Sequence, residues 1–303
     1  MSPDIFSSSA VDLVIFTVAD AKSLPDSYSS DGIVSYGKYG RDWNDFGMSL
    51  FVITVPADET LYPNLLGRRV LPGGYLKESE TLLQASRRIA YERLGLSLKL
   101  KLRQLGTYDD PYRDPNGRVL SFAYWAMVDF SAIRKYLGGR DQIGLELVNS
   151  NTYMDYFEKT NGSLDFYDGV SRFGDRTMPS PSSFKGHRKR FSDELEEGQI
   201  LGLDHDKMVF FGWRQLRHAF DGRQDPFRVL GLNPLGTEFR LSELQEFRDV
   251  CRGERIQRDL FRRIMLNNDS FIKDTGKTDR SKPGKPANLY APLADEMPDE
   301  YFD

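Results

Sequence analysis

Two stretches of the chain carry residues whose types and spacing could do chemistry. In the first, residues 71–96 (LPGGYLKESETLLQASRRIAYERLGL), the charged candidates are Glu80, Arg88 and Glu92. Positions 89, 92 and 93 stand in an i, i+3, i+4 relation, so on a helix they share one face and could converge on a cation. They read Ile, Glu and Arg. An isoleucine has no lone pair to give, and an arginine puts a fixed positive charge where a cation would sit. We therefore expect no metal site and no catalytic residue here. In the second stretch, residues 252–290, ten Lys and Arg stand against five Asp and Glu. That basic excess suits a polyanion partner although the whole chain has a net charge of −4.

The elements that must position these residues are legible in outline. Residues 11–18 and 50–55 are rich in β-branched side chains and read as paired strands, and 99–106 and 120–128 read as two more. The Pro72-Gly73-Gly74 turn leads into a helix over 81–94, with Thr81 and Gln84 in capping-box register and Gly95 as its left-handed C-terminal cap. Between the later strands, residues 108–118 (YDDPYRDPNGR) hold Asp-Pro and Asn-Gly turn chemistry. Arginines at 113 and 118 could also receive a pyrophosphate, since a guanidinium pairs with phosphate oxygens bidentately. Both readings stay open at this point.

The first stretch resembles the Nudix box: Gly74, Glu80, Arg88, Glu92, Gly95 and Leu96 match the pattern, and Ile89 and Arg93 replace two of its clustered glutamates. In active relatives those glutamates hold divalent metal, so the resemblance implies a kept fold and a lost hydrolysis, with Glu80 and Arg88 paired structurally. Residues 106–119 (GTYDDPYRDPNGRV) look like the matching stretch of the Nudix-related transcriptional regulators, a bacterial family in which a usually degenerate Nudix domain senses a metabolite. This implies effector contacts from Tyr108, Arg113, Arg118, Asp204 and His205. The expected effector is ADP-ribose or a related NAD metabolite, with sugars as the choice of some relatives.

The chain regains periodicity after residue 200. Residues 204–219 form an imperfect helical stripe (Met208, Phe211, Gln215, Leu216, Ala219) with Asp204 as the expected N-cap. A helix over 241–250 is expected to be capped by Ser242 and stopped by Gly253. A second helix spans 256–266, with Leu260, Phe261, Ile264 and Met265 available for the core. The basic, Gly- and Pro-rich segment 271–290 then reads as a hairpin wing. Helix, turn, arginine-bearing helix and wing is winged-helix order, and 240–290 also looks like the C-terminal domain of the same regulators. The expected DNA contacts are Arg255, Gln257, Arg258, Arg262, Arg263, Lys273, Lys277, Lys282 and Lys285.

The expected fold is thus α+β: an N-terminal Nudix α/β/α sandwich with a mixed sheet, followed by a C-terminal winged-helix domain. Residues 1–220 would be the sensing domain with an insertion at about 131–200, 221–239 a linker, 240–291 the DNA-binding domain and 292–303 an acidic tail. The 185–190 cluster, KGHRKR, reads as a solvated loop, which in a dimer could approach a phosphate backbone. At 303 residues, 39% hydrophobic and 28% charged, the chain can bury a sizeable core. No apolar run approaches the roughly 18 residues of a membrane span. The single Cys251 and the absence of a visible signal peptide fit a cytoplasmic protein, and the three histidines are too scattered for a zinc site. The expected function is a homodimeric transcriptional regulator that binds an operator and a nucleotide or sugar effector and requires no cofactor. The alternative is an active Nudix hydrolase acting on ADP-ribose or another nucleoside diphosphate derivative.

Overall fold

The structure is a computed structural model and describes residues 8–20, 48–58, 62, 65, 67–96, 100–110, 113–134, 136–137, 143–148, 201–220, 225–230, 235–253, 255–267, 271–281 and 286–293. Its organising strand is β1 (Ser8–Asp20). Val11, Leu13 and Ile15 enter one apolar cluster and Val14 and Phe16 another. Successive strand residues face opposite sides, so an unbroken apolar run is what a strand covered on both faces requires.

The other strands of the sheet are β2 (Met48–Pro56), β3 (Arg69–Val70), β4 (Gly73–Tyr75), β5 (Arg103–Tyr108), β6 (Val119–Met127) and β7 (Gly144–Leu147). The order is β3-β2-β1-β6-β5, with β4 also on β1 and β7 on β2. β1 runs antiparallel to β2 and β4 and parallel to β6, which makes the sheet mixed. One face is covered by α1 (Leu82–Leu94) and α2 (Phe130–Arg134), whose Ile89 and Ile133 join Val11, Leu13 and Ile15. The other is covered by α3 (His205–His218), whose Met208, Val209, Trp213 and Leu216 join Val14 and Phe16. The expected sandwich is present, including the pairing of its first two long strands, which the structure shows to be antiparallel. The short strands β3, β4 and β7 and helix α2 escaped the sequence reading because each is too brief to show a period.

Helix α1 starts and stops as its sequence dictates. Thr81 Oγ1 accepts from the Gln84 amide at 3.2 Å, and Gln84 Oε1 accepts from the Thr81 amide at 2.8 Å. Gly95 ends it at φ 63°, a conformation costly to any residue with a Cβ.

Beyond α4 (Pro226–Leu230) come β8 (Phe239–Arg240), α5 (Leu241–Arg252), α6 (Arg258–Met265), β9 (Ile272–Asp279) and β10 (Ala287–Pro292). The strands form a sheet in the order β8-β10-β9, which is the expected two helices and wing. Its own core is small: Phe227, Phe239, Leu244, Phe261, Met265, Ile272 and Tyr290. Helix α5 serves two cores. Leu244 points into that one, while Phe247, Val250 and Cys251 are buried in the cluster of β1, β2 and α3. Trp213 Nε1 donates to the Cys251 carbonyl at 3.0 Å. The segment expected as a plain linker contains α4, whose Phe227 and Leu230 are buried. Lys101 Nζ and Arg103 Nε hold carbonyls at its C-terminal end, those of Arg228 and Val229, at 2.5 and 2.8 Å, where cations suit the helix dipole.

Candidate functional site

The box stretch is built around Arg88. Its Nε and Nη2 donate to the two Glu80 oxygens at 2.5 and 2.9 Å, Nη1 donates to Glu92 at 3.0 Å, and Nη2 also reaches the Tyr75 carbonyl at 3.0 Å. A bidentate guanidinium-carboxylate pair of this kind is among the stronger hydrogen-bonded contacts. The Arg88 hydrogen bond holds the Glu80 carboxyl below its usual range. The expected structural pairing is therefore present.

The face that positions 89, 92 and 93 share on α1 is divided between core and solvent. Ile89 is 1% exposed and part of the core, whereas Glu92 and Arg93 are exposed to solvent. Ile89 packs beside Gly74, where an added Cβ would meet its side chain at 3.5 Å. An apolar side chain at 89 packs inward because burial favours it, so the core takes position 89 and leaves Glu92 and Arg93 in solvent. A divalent cation, which active proteins of this motif type hold with carboxylates, does not fit this donor set: both remaining carboxylates touch Arg88 and the third position is core. Among the described residues no group of His, Cys, Asp and Glu could hold a metal ion.

Four of the expected effector residues meet in a buried polar network on the α3 side of the sheet. Arg113, 3% exposed, fixes Asp204 through Nε–Oδ2 at 3.0 Å and Nη2–Oδ1 at 2.8 Å. Its Nη2 also lies 3.4 Å from Asp12 Oδ2, which accepts from Ser121 Oγ at 2.5 Å. The His205 ring accepts the Leu71 amide at Nδ1, 2.9 Å away, so its proton belongs on Nε2. That nitrogen is buried without a hydrogen-bond partner and lies 3.7 Å from Asp12 Oδ1. Burial pushes the His205 pKa down, and Asp12 opposes the shift only in part. Tyr108 is buried within electrostatic reach of Asp204, Arg113 and Asp12, and burial raises its phenol above the usual value.

This network corrects one local expectation. Asp204 makes no side-chain cap bond to α3, because its carboxylate is taken by Arg113. It also ties five elements together: β1 through Asp12, β6 through Ser121, the 108–118 loop through Arg113, the start of α3, and the box turn through Leu71. Gly73 is required there, since a Cβ would fall 2.1 Å from Asp12 Oδ1. Arg118, the fifth expected residue, stays outside the network and is exposed. Asp12 and Ser121 were not found by sequence reasoning. An aspartate within an apolar strand is the signal that could have flagged the first of them.

The basic surface lies on α6 and the wing. Arg255, Gln257, Arg258, Arg262, Arg263 and Lys273 are all exposed. Lys277 is exposed as well but forms an ion pair with Glu238 at 2.7 Å. Lys282 and Lys285 lie outside the described residues, as do the 185–190 cluster and the acidic tail from 294 onward. Two details differ from expectation. Position 240, not Ser242, is the N-cap of α5, with Glu243 accepting the Arg240 amide at 2.9 Å. Leu260 and Ile264, expected in the core, are 38% and 40% exposed, because Phe261 and Met265 alone fill the inward side of so short a helix. Arg240 holds Asp279 at the end of β9 through Nε at 2.7 Å and Ser281 through Nη2 at 3.1 Å, fixing the wing to α5.

With this geometry in place, comparison with known proteins is informative. Residues 231–291 match the family described as the NrtR DNA-binding winged helix domain. No curated protein matches the chain. The solved Shewanella oneidensis NrtR in complex with a 27mer DNA is similar at 22% identity and TM-score 0.55, over 93% of this chain and 92% of that one. A MutT/nudix family protein from Enterococcus faecalis is similar at 14% identity and TM-score 0.51, over 96% and 88%. At such identities the likeness speaks for the fold, and it runs through the sheet and the winged helix alike. The chain thus joins a sheet of Nudix-type fold to a segment, residues 231–291, that matches the NrtR DNA-binding winged helix domain family.

Proposed function

We propose that the chain is a homodimeric DNA-binding regulator whose Nudix-fold domain binds a nucleotide effector without hydrolysing it, ADP-ribose or a related NAD metabolite being the favoured class. The observation that carries the DNA reading is the exposed arginine set on α6, Arg258, Arg262 and Arg263, flanked by Arg255 and the wing's Lys273, on a segment matched to a DNA-binding domain family. Helix α6 would enter the major groove, its arginines supplying phosphate affinity and base contacts. Two copies would place two such helices about one DNA turn apart over a palindromic operator.

The buried Ile89 and the Arg88 clamp favour binding over chemistry. Arg118 is the arginine most available to an effector phosphate, while Arg113 would hold the 108–118 loop in place through Asp204. From that loop a continuous set of contacts runs through Asp204 to α3, from Trp213 to Cys251 on α5, and from Gln245 to the Ile256 carbonyl at 2.9 Å beside α6. An effector that shifts the loop would act on α6 by this route. The test is a DNA-shift assay on the promoter region beside the protein's own gene, with and without ADP-ribose, NADH and sugar nucleotides. A salt-sensitive shift altered by one of them is expected. Turnover of these compounds at roughly 1 per second or more would instead support the hydrolase.

A further inference from the structure

Helix α6 exposes more than arginines. Opposite buried Phe261 and Met265 stand Asp259 and Arg263; Arg258 and Arg262 occupy one flank, and Leu260 and Ile264 the other. The two apolar side chains are 38% and 40% exposed and one turn apart, with about 6 Å of rise between them. Two apolar side chains one turn apart make a small apolar strip that an apolar group of a partner can cover. Here the candidate partner is defined by charge, because the surrounding Arg255, Arg258, Arg262 and Arg263 make this a surface for a polyanion and repel a second identical face.

We propose that Leu260 and Ile264 read thymine, by packing against its C5-methyl groups in the major groove. The proposal rests on the DNA-binding reading of α6 and adds to it a specificity determinant that hydrogen bonding cannot supply. The methyl group is the one apolar mark a base pair presents in that groove, and a helix bearing a cationic flank and an apolar flank can meet a phosphate row and methyl groups together. Covering one methyl contributes about the transfer free energy of one buried carbon, roughly fourfold in affinity.

Full-length protein should be used to select sites from a randomised duplex library. Each thymine of the enriched half-site is then replaced by deoxyuridine, which removes only the methyl. The expected result is a loss of about fourfold at one or two thymines for the parent. That sensitivity should vanish at one position in Leu260→Ala and at another in Ile264→Ala, and persist in Leu260→Met. Melting curves confirm that the variants are folded, as substitution at exposed positions allows. A selected site without thymine, or deoxyuridine substitutions that are silent or affect parent and variants equally, overturns the proposal and leaves DNA binding intact. If the alanine variants bind as the parent does but sediment at a lower mass, the flank is a protein contact and the proposal is also overturned. Failure of the library to enrich any sequence overturns the DNA reading itself.

Discussion

Restoring the missing glutamate at position 89 should damage the protein rather than revive an enzyme. Ile89 is 1% exposed, sits beside Gly74 and packs in the cluster of Val11, Leu13 and Ile15. Ile89→Glu removes that apolar burial and places a carboxyl in the same space. Loss of a buried isoleucine costs about 2–5 kcal/mol in truncation series, and an unpaired buried carboxyl adds to it. A loss of at least about 3 kcal/mol corresponds to roughly 6–12 °C in melting temperature at about 2–4 °C per kcal/mol. The loss should depend on pH. Burial raises the carboxyl's folded pKa above its unfolded value of about 4.3, so the deficit is smallest below that pH and grows as pH rises through it. Differential scanning calorimetry of the parent, Ile89→Glu and Ile89→Val at pH 4.5 and 7.5 measures this, with valine expected to cost only about 0.5–1.5 kcal/mol. Adding magnesium to Ile89→Glu combined with Arg93→Glu is the decisive arm. Recovery of stability and of pyrophosphate hydrolysis there would refute the reasoning, because it would mean that position 89 faces a working metal site.

Three more outcomes can be checked together. Arg113→Ala leaves Asp204 buried beside Asp12 without its cation and should cost about 3–5 kcal/mol in denaturant titration; Arg113→Lys should not restore the loss, since a lysine cannot make the paired Nε and Nη2 contacts. His205 has a folded pKa below its ordinary value, so the unfolded chain takes up the proton first; its stability contribution is present above about pH 6.5 and is lost as pH falls below it. The slope of unfolding free energy between pH 7.5 and pH 5.5 should therefore flatten in His205→Gln, and an unchanged slope would remove His205 from the account. Phe247→Ala opens the cluster that α5 shares with β1, β2 and α3 and should cost about 3–5 kcal/mol. Hydrogen exchange should quicken in β1 and α6 alike; a change confined to α5 and α6 would show that the two parts are not one folded unit.

The sequence by itself determined much of the frame. The long strands β1, β2 and β6 and the capped helix α1 follow from local rules, β-branched runs and cap chemistry that act over a few residues, and so does the helix-turn-helix with its wing. The resemblance to the Nudix box also made plain that Ile89 and Arg93 stand where that motif has two glutamates. What spacing could not give was direction. Position 89 shares a helix face with 92 and 93 on a wheel, yet the sheet lies close enough to swallow one of the three and leave the others in water. Leu260 and Ile264 looked like core because they are apolar, but only two side chains of α6 can turn inward. The buried network joins Asp12, Arg113, Ser121 and Asp204 across more than a hundred residues of chain at its widest pairings, a separation at which no local pattern operates. Its members are ordinary polar residues until the sheet and α3 exclude water around them, and it is this loss of solvent that makes Arg113 partner Asp204.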